Sequence, residues 1–85
     1  MNRAEIEQSV MDMISQELGY DDCESNMDFM DDIGCASVDL MELYAWAEKK
    51  YGFKITPADM RSLMTPDDLI DLIEKEIKKK VDSGE

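Results

Sequence analysis

The chain has 85 residues, with 21 Asp or Glu, nine Lys or Arg and no His, giving a formal net charge of −12. That length makes one domain, burying about 60–65% of the surface its unfolded form exposes, and 44% apolar content is too much for a disordered acidic tail. The charge has the wrong sign for neutralising phosphates of nucleic acid or anionic membranes, and the missing histidine removes the commonest general base and metal ligand.

Two cysteines, Cys23 and Cys35, cannot build a secreted-type disulfide scaffold. The opening MNRAEIEQ holds no signal-peptide-like apolar run, and nothing approaches a membrane span. A reducing cytoplasm is the expected setting. The charge is lopsided: thirteen acids and no base lie between Ala4 and Glu48, whereas eight bases balance eight acids from Lys49 onward. Such a half can steer a partner with a basic patch, or simply keep the protein soluble. A small domain on which other enzymes act fits this balance better than a self-contained enzyme.

The first helix carries Ile6, Val10, Met13, Ile14 and Leu18 at three- and four-residue spacing and stops at Gly19. An acidic loop from Tyr20 to Asp32 follows, long enough to be structured, with Met27, Phe29 and Met30 as candidate anchors on the core. The spacing predicts a second helix from Ser37 to Tyr51, closed by Gly52. Thr56-Pro57 and Thr65-Pro66 each join a capping hydroxyl to a proline suited to the first helical position. They open a short third helix, Pro57 to Leu63, and a fourth carrying Leu69, Leu72, Ile73 and Ile77. Lys78, Lys79 and Lys80 suit the fourth helix's C-terminus, and residues 82–85 are expected to fray. The expected fold is an all-α, four-helix bundle over residues 1–81, with a long first loop and a short third helix.

The second helix carries more apolar surface than one core can bury. Leu40, Leu43, Tyr44, Ala47 and Tyr51 share a stripe about 100° wide. Val38, Met41 and Ala45 fall on a second arc about 100–160° away, beside Asp39, Glu42 and Glu48. Scattered exposed apolar residues are ordinary, but an apolar arc flanked by acids is also a landing site for another protein. Trp46 lies off both arcs and is expected to pack on the first helix or the loop.

Ser37 opens that helix within Asp32-Ile33-Gly34-Cys35-Ala36-Ser37-Val38-Asp39. A serine there ordinarily caps the helix, and the same free amides also stabilise an anion. Without histidine or a well-spaced base, nothing activates Ser37 as a nucleophile. Any chemistry on it comes from a partner enzyme. Cys35 reads as a small loop residue.

These residues resemble the acyl carrier proteins. That family shows an acidic loop, then Asp-Leu-Gly-x-Asp-Ser-Leu opening the second helix, then Glu-Leu one turn later. Phe29, Asp32, Ile33, Gly34, Ser37, Val38, Glu42 and Leu43 follow the pattern. Tyr51 to Ile55, Leu63 to Thr65 and Leu69 to Ile73 resemble the family's later segments, so the likeness spans about residues 5 to 77. The departure is Ala36, where the family places aspartate.

The resemblance implies that Ser37 receives 4′-phosphopantetheine from coenzyme A through a Mg²⁺-dependent phosphopantetheinyl transferase, and that an acyl group rides on the terminal thiol. It implies acyl-loading and synthase partners with basic patches, docking on Val38, Asp39, Met41, Glu42, Ala45 and Glu48. It also implies a non-catalytic, cytoplasmic, monomeric carrier with no nucleic-acid, membrane or metal site. In some members the core shelters the acyl chain; Leu40, Leu43, Tyr44, Ala47, Leu63 and Ile73 are the candidates here, with ordinary core packing as the plainer reading. Ala36 removes a handle for the transferase of fatty acid synthesis. It points to a specialised fatty acid, polyketide or peptide pathway, with an unmodified, carrier-like assembly subunit as the alternative. The loop acids do not make an EF-hand, because Asn26 and Cys23 stand where a loop begun at Asp21 needs glycine and a ligand.

Overall fold

The computed structural model describes residues 2–19 and 21–82, and among these it is helical, with no strand. The first helix, α1 (Arg3–Leu18), begins with a full capping box: Asn2 Oδ1 accepts from Glu5 N at 2.9 Å and Glu5 Oε1 from Asn2 N at 3.1 Å. Ile6, Val10 and Ile14 are completely buried, while Met13 and Leu18 are half-buried against the same core. Gly19 ends the helix at φ 75°, a left-handed conformation natural to glycine.

The acidic loop is held by one backbone and one side-chain hydrogen bond to the flanking helices. Ser25 O accepts from Asp67 N at 2.9 Å, and Ser15 Oγ donates to Asp21 Oδ1 at 2.9 Å. It closes in a π-helical turn, Phe29–Ile33, that the sequence pattern does not announce. Asp28 Oδ1 accepts from Met30 N and Asp31 N, both at 2.9 Å, and Ile33 N donates to Asp28 O at 2.9 Å. Phe29 and Ile33, four apart, share the inward face and are almost wholly buried. Met27 is a half-buried anchor, as expected. Met30 is not an anchor: one step round the turn from Phe29, it faces outward.

The second helix, α2 (Ser37–Tyr51), has the expected bounds, with Gly52 as its left-handed cap. Leu43, Tyr44, Ala47 and Tyr51 are buried and Leu40 is half-buried; Val38, Met41 and Ala45 face solvent. Trp46 is half-buried against the core and meets Tyr51 edge-on, with ring centroids 6.1 Å apart.

The third helix, α3 (Pro57–Ser62), and the fourth, α4 (Pro66–Asp82), start on the two Thr-Pro pairs. Leu63 is extended and caps α3, one residue short of the expected end. Leu69, Ile70 and Ile73 of α4 are fully buried, and Leu72 and Ile77 are half-buried. The backbone of α4 includes Asp82; the rest of the tail expected to fray, residues 83–85, lies outside the described residues. The three long helices pack on one another. Arg3 pins the start of α1 to α4 through Asp71 at 2.6 Å and Glu74 at 3.2 Å, and Lys80 Nζ donates to Tyr51 O at 3.0 Å.

Candidate functional site

The segment before α2 is fixed from below. Phe29, Ile33 and Cys35 are buried, Gly34 turns the chain at φ 84°, and Cys35 N donates to Phe29 O at 2.8 Å. With the inward residues committed to the core, Ala36 and Ser37 emerge exposed. Burial, with lesser repulsion from Asp39 and Cys23, pushes the Cys35 thiol up. Cys35 is therefore a buried core residue and an inert thiol. Burial likewise raises Cys23.

Ser37 is the first residue of α2, not its cap. Ala36 holds the cap position at φ −84°, ψ 164°, and a methyl group accepts nothing. Only the return half of a capping box exists: Asp39 Oδ2 accepts from Ala36 N at 3.0 Å. The amides of Ser37, Val38 and Asp39 and the Ser37 hydroxyl have no hydrogen-bond partner among the described residues. A free hydroxyl and three free amides thus share the positive end of a 15-residue helix.

The second arc of α2 is exposed, Val38 at 63% and Met41 at 62%. Its acids are not equivalent. Asp39 is half-buried and returned to Ala36 N. Glu48 is half-buried, its Oε2 accepting from Ile55 N at 2.7 Å and so holding the link to α3. Glu42 is exposed with no partner among the described residues, and it borders a crevice with Asp39 and Glu17. Glu17 belongs to this acidic face although it comes from α1; its place in sequence gives no sign of that.

Beside Ser37 lies an open groove of about 340 Å³ between the π-helical turn, α2 and α3. Leu40, Tyr44 and Leu63 line it, whereas Leu43, Ala47 and Ile73 are closed into the core. Burial pushes the Tyr44 phenol up, and its hydroxyl donates to Leu63 O at 3.5 Å. Of the groove's methionines only Met41 is an expected site residue; Met30, Met60, Met64 and Arg61 are not, and the sequence offers only an unusual number of methionines, eight.

Residues 8–73 match the family model described as the phosphopantetheine attachment site. The chain is also 33% identical over 78 residues to the acyl carrier protein of Thermotoga maritima, covering 89% of this chain and 96% of that protein. The chain belongs to the acyl carrier protein family. Acyl carrier proteins of Solidesulfovibrio magneticus (36% over 72 residues, 82% of this chain and 92% of that protein) and Chlamydia caviae (36% over 70 residues, 80% and 91%) are similar too. This acyl carrier is a non-catalytic protein whose cofactor is covalent 4′-phosphopantetheine, and its family works with phosphopantetheinyl transferases and synthase enzymes. No helix among its described residues is long and apolar enough to cross a membrane.

Proposed function

We propose that Ser37 is the attachment residue, and that this protein presents acyl groups from that point to the enzymes of a specialised fatty acid, polyketide or peptide pathway. The observation that carries the reading is the hydroxyl of Ser37, exposed and without a hydrogen-bond partner among the described residues, at the same helix start as the unpartnered amides of Ser37, Val38 and Asp39. A phosphodiester at that oxygen would meet the helix dipole and those donors at once. When bound, 4′-phosphopantetheine supplies a terminal thiol that holds an acyl group as a thioester. The residues of this chain bind and orient; among the described residues no side chain hydrogen-bonds Ser37 Oγ, and the partner transferase takes its proton.

The exposed arc of Val38, Met41 and Ala45 supports docking on α2, with Glu42 as the acid free to meet a basic patch. Asp39 and Glu48 contribute negative charge to that face while their oxygens hold Ala36 N and Ile55 N. Ala36 supports a transferase that does not read a carboxylate before the serine, and hence a dedicated pathway. The carrier acts as a cytoplasmic monomer.

Co-expression with a broad-specificity transferase tests the assignment. Intact mass is expected to show the phosphopantetheine adduct on the wild type and none on Ser37→Ala. An unmodified wild type would favour an assembly subunit instead, and an adduct retained by Ser37→Ala would move the site.

A further inference from the structure

Five large apolar side chains are exposed among the described residues: Val38 and four methionines. All four methionines, Met30, Met41, Met60 and Met64, border the one groove that also holds Ser37. They come from three separate segments, the π-helical turn, α2, and α3 with its following link, so their convergence is a property of the fold. Methionine is flexible and polarizable, and it lines surfaces that adapt to ligands of varied shape.

Two ionic side chains stand in that groove, Asp28 and Arg61. Asp28 is occupied, its Oδ1 accepting from Met30 N and Asp31 N. Arg61 has neither an ion pair nor a hydrogen bond among the described residues, in a chain with a net charge of −12. Arg3 shows the contrast: it lies within 4 Å of three carboxylates, Asp67, Asp71 and Glu74. An arginine left unpaired amid so many acids, on the rim of an apolar groove, matches a ligand that is apolar along its length and anionic at its end. Guanidinium presents a planar fork that takes a carboxylate through two parallel hydrogen bonds.

We infer that Arg61 selects cargo: the groove holds acyl chains ending in a free carboxylate, thioesters of dicarboxylic acids, with the chain against the methionines and the carboxylate on Arg61. This rests on the proposed attachment at Ser37. A plain acyl chain would use the same methionines and gain nothing from Arg61. The pair lies at an exposed rim, so the selectivity is modest, about two- to fivefold, and screened by salt.

The test loads the full chain by a broad-specificity transferase from octanoyl- or suberyl-coenzyme A, the Ser37 oxygen taking the acyl-phosphopantetheine phosphate and 3′,5′-ADP leaving. Intact mass verifies loading, and hydroxylamine cleavage of each thioester is timed relative to the same thioester on free pantetheine. The suberyl thioester is expected to be protected about two- to fivefold more than the octanoyl one in the wild type. Arg61→Met should abolish that difference while leaving octanoyl protection unchanged, Arg61→Lys should keep part of it, and 0.5 M NaCl should shrink it. Circular dichroism establishes that each variant is folded. Equal protection of both cargoes in a loaded wild type overturns the inference and leaves the carrier reading intact. Equal loss of protection for both cargoes in Arg61→Met also overturns it, assigning Arg61 to the phosphodiester. Failure to load overturns both readings.

Discussion

Three helix starts in this protein carry a hydroxyl residue at or beside the cap, and they are built in two ways. At α3, Thr56 Oγ1 accepts from Asp59 N at 3.1 Å and Asp59 Oδ2 accepts from Thr56 N at 3.2 Å. At α4, Thr65 Oγ1 accepts from Asp68 N at 3.2 Å, while Asp68 Oδ2 takes Thr65 N and Met64 N. Both are closed, with hydroxyl and amides satisfying one another. At α2 the hydroxyl has moved one residue into the helix, alanine fills the cap, and the amides stay open. Closed starts hold the fold together. The open one leaves hydroxyl and amides available to a group that arrives later, and the difference comes down to one position, 36.

The largest expected effect breaks a closed start. Asp68→Ala removes the acceptor for two backbone amides at the junction of α3 and α4, beside the Met64 carbonyl that receives Phe29 N at 2.8 Å. A loss of about 1–2 kcal/mol in urea unfolding is expected. Next comes the reverse operation, closing the open start. Ala36→Asn supplies an acceptor for an amide of the first turn and should raise stability by about 0.5–2 kcal/mol. In a domain of this size each kcal/mol corresponds to about 4–8 °C in Tm. A gain indistinguishable from zero would mean that those amides are already satisfied.

A third effect is kinetic. Burial raises the Cys35 thiol, so less thiolate is present at pH 8 than in an unfolded chain, and iodoacetamide should label the native protein more slowly than the same protein in urea. The difference should narrow as pH rises through the elevated value. Native labelling as fast as unfolded labelling would show that the segment before α2 is not pinned from below.

Helix bounds were legible because local signals carry them: Gly19 and Gly52 as left-handed caps, Thr-Pro pairs as starts, three- and four-residue spacing as core. The two arcs of α2 were legible for the same reason, since 100° per residue places Val38 and Met41 opposite the core without knowledge of the other helices. What could not be read was set by chain segments meeting in space. The π-helical turn depends on Asp28 reaching two amides and on Phe29 finding the core. The methionine-lined groove needs three distant segments, and Arg61 stands out only because no carboxylate among the described residues folds back onto it. Ser37 is legible as the residue that opens α2, but whether it or Ala36 holds the cap is not: only the backbone gives that position to Ala36.

The smallest expected effect separates the two kinds of start most cleanly. Thr56→Ala deletes a cap and should cost about 1 kcal/mol. Ser37→Ala deletes a hydroxyl of the same chemistry at an apparently similar place, yet that hydroxyl accepts and donates nothing among the described residues and is exposed. Its removal should shift stability by no more than about 0.5 kcal/mol, measured by urea unfolding of unmodified protein. The contrast matters for the attachment experiment as well, because a Ser37→Ala chain folded as well as the wild type can lose its adduct only through the missing oxygen. A loss near that of Thr56→Ala would instead make Ser37 a structural cap and close the start that the carrier reading needs open.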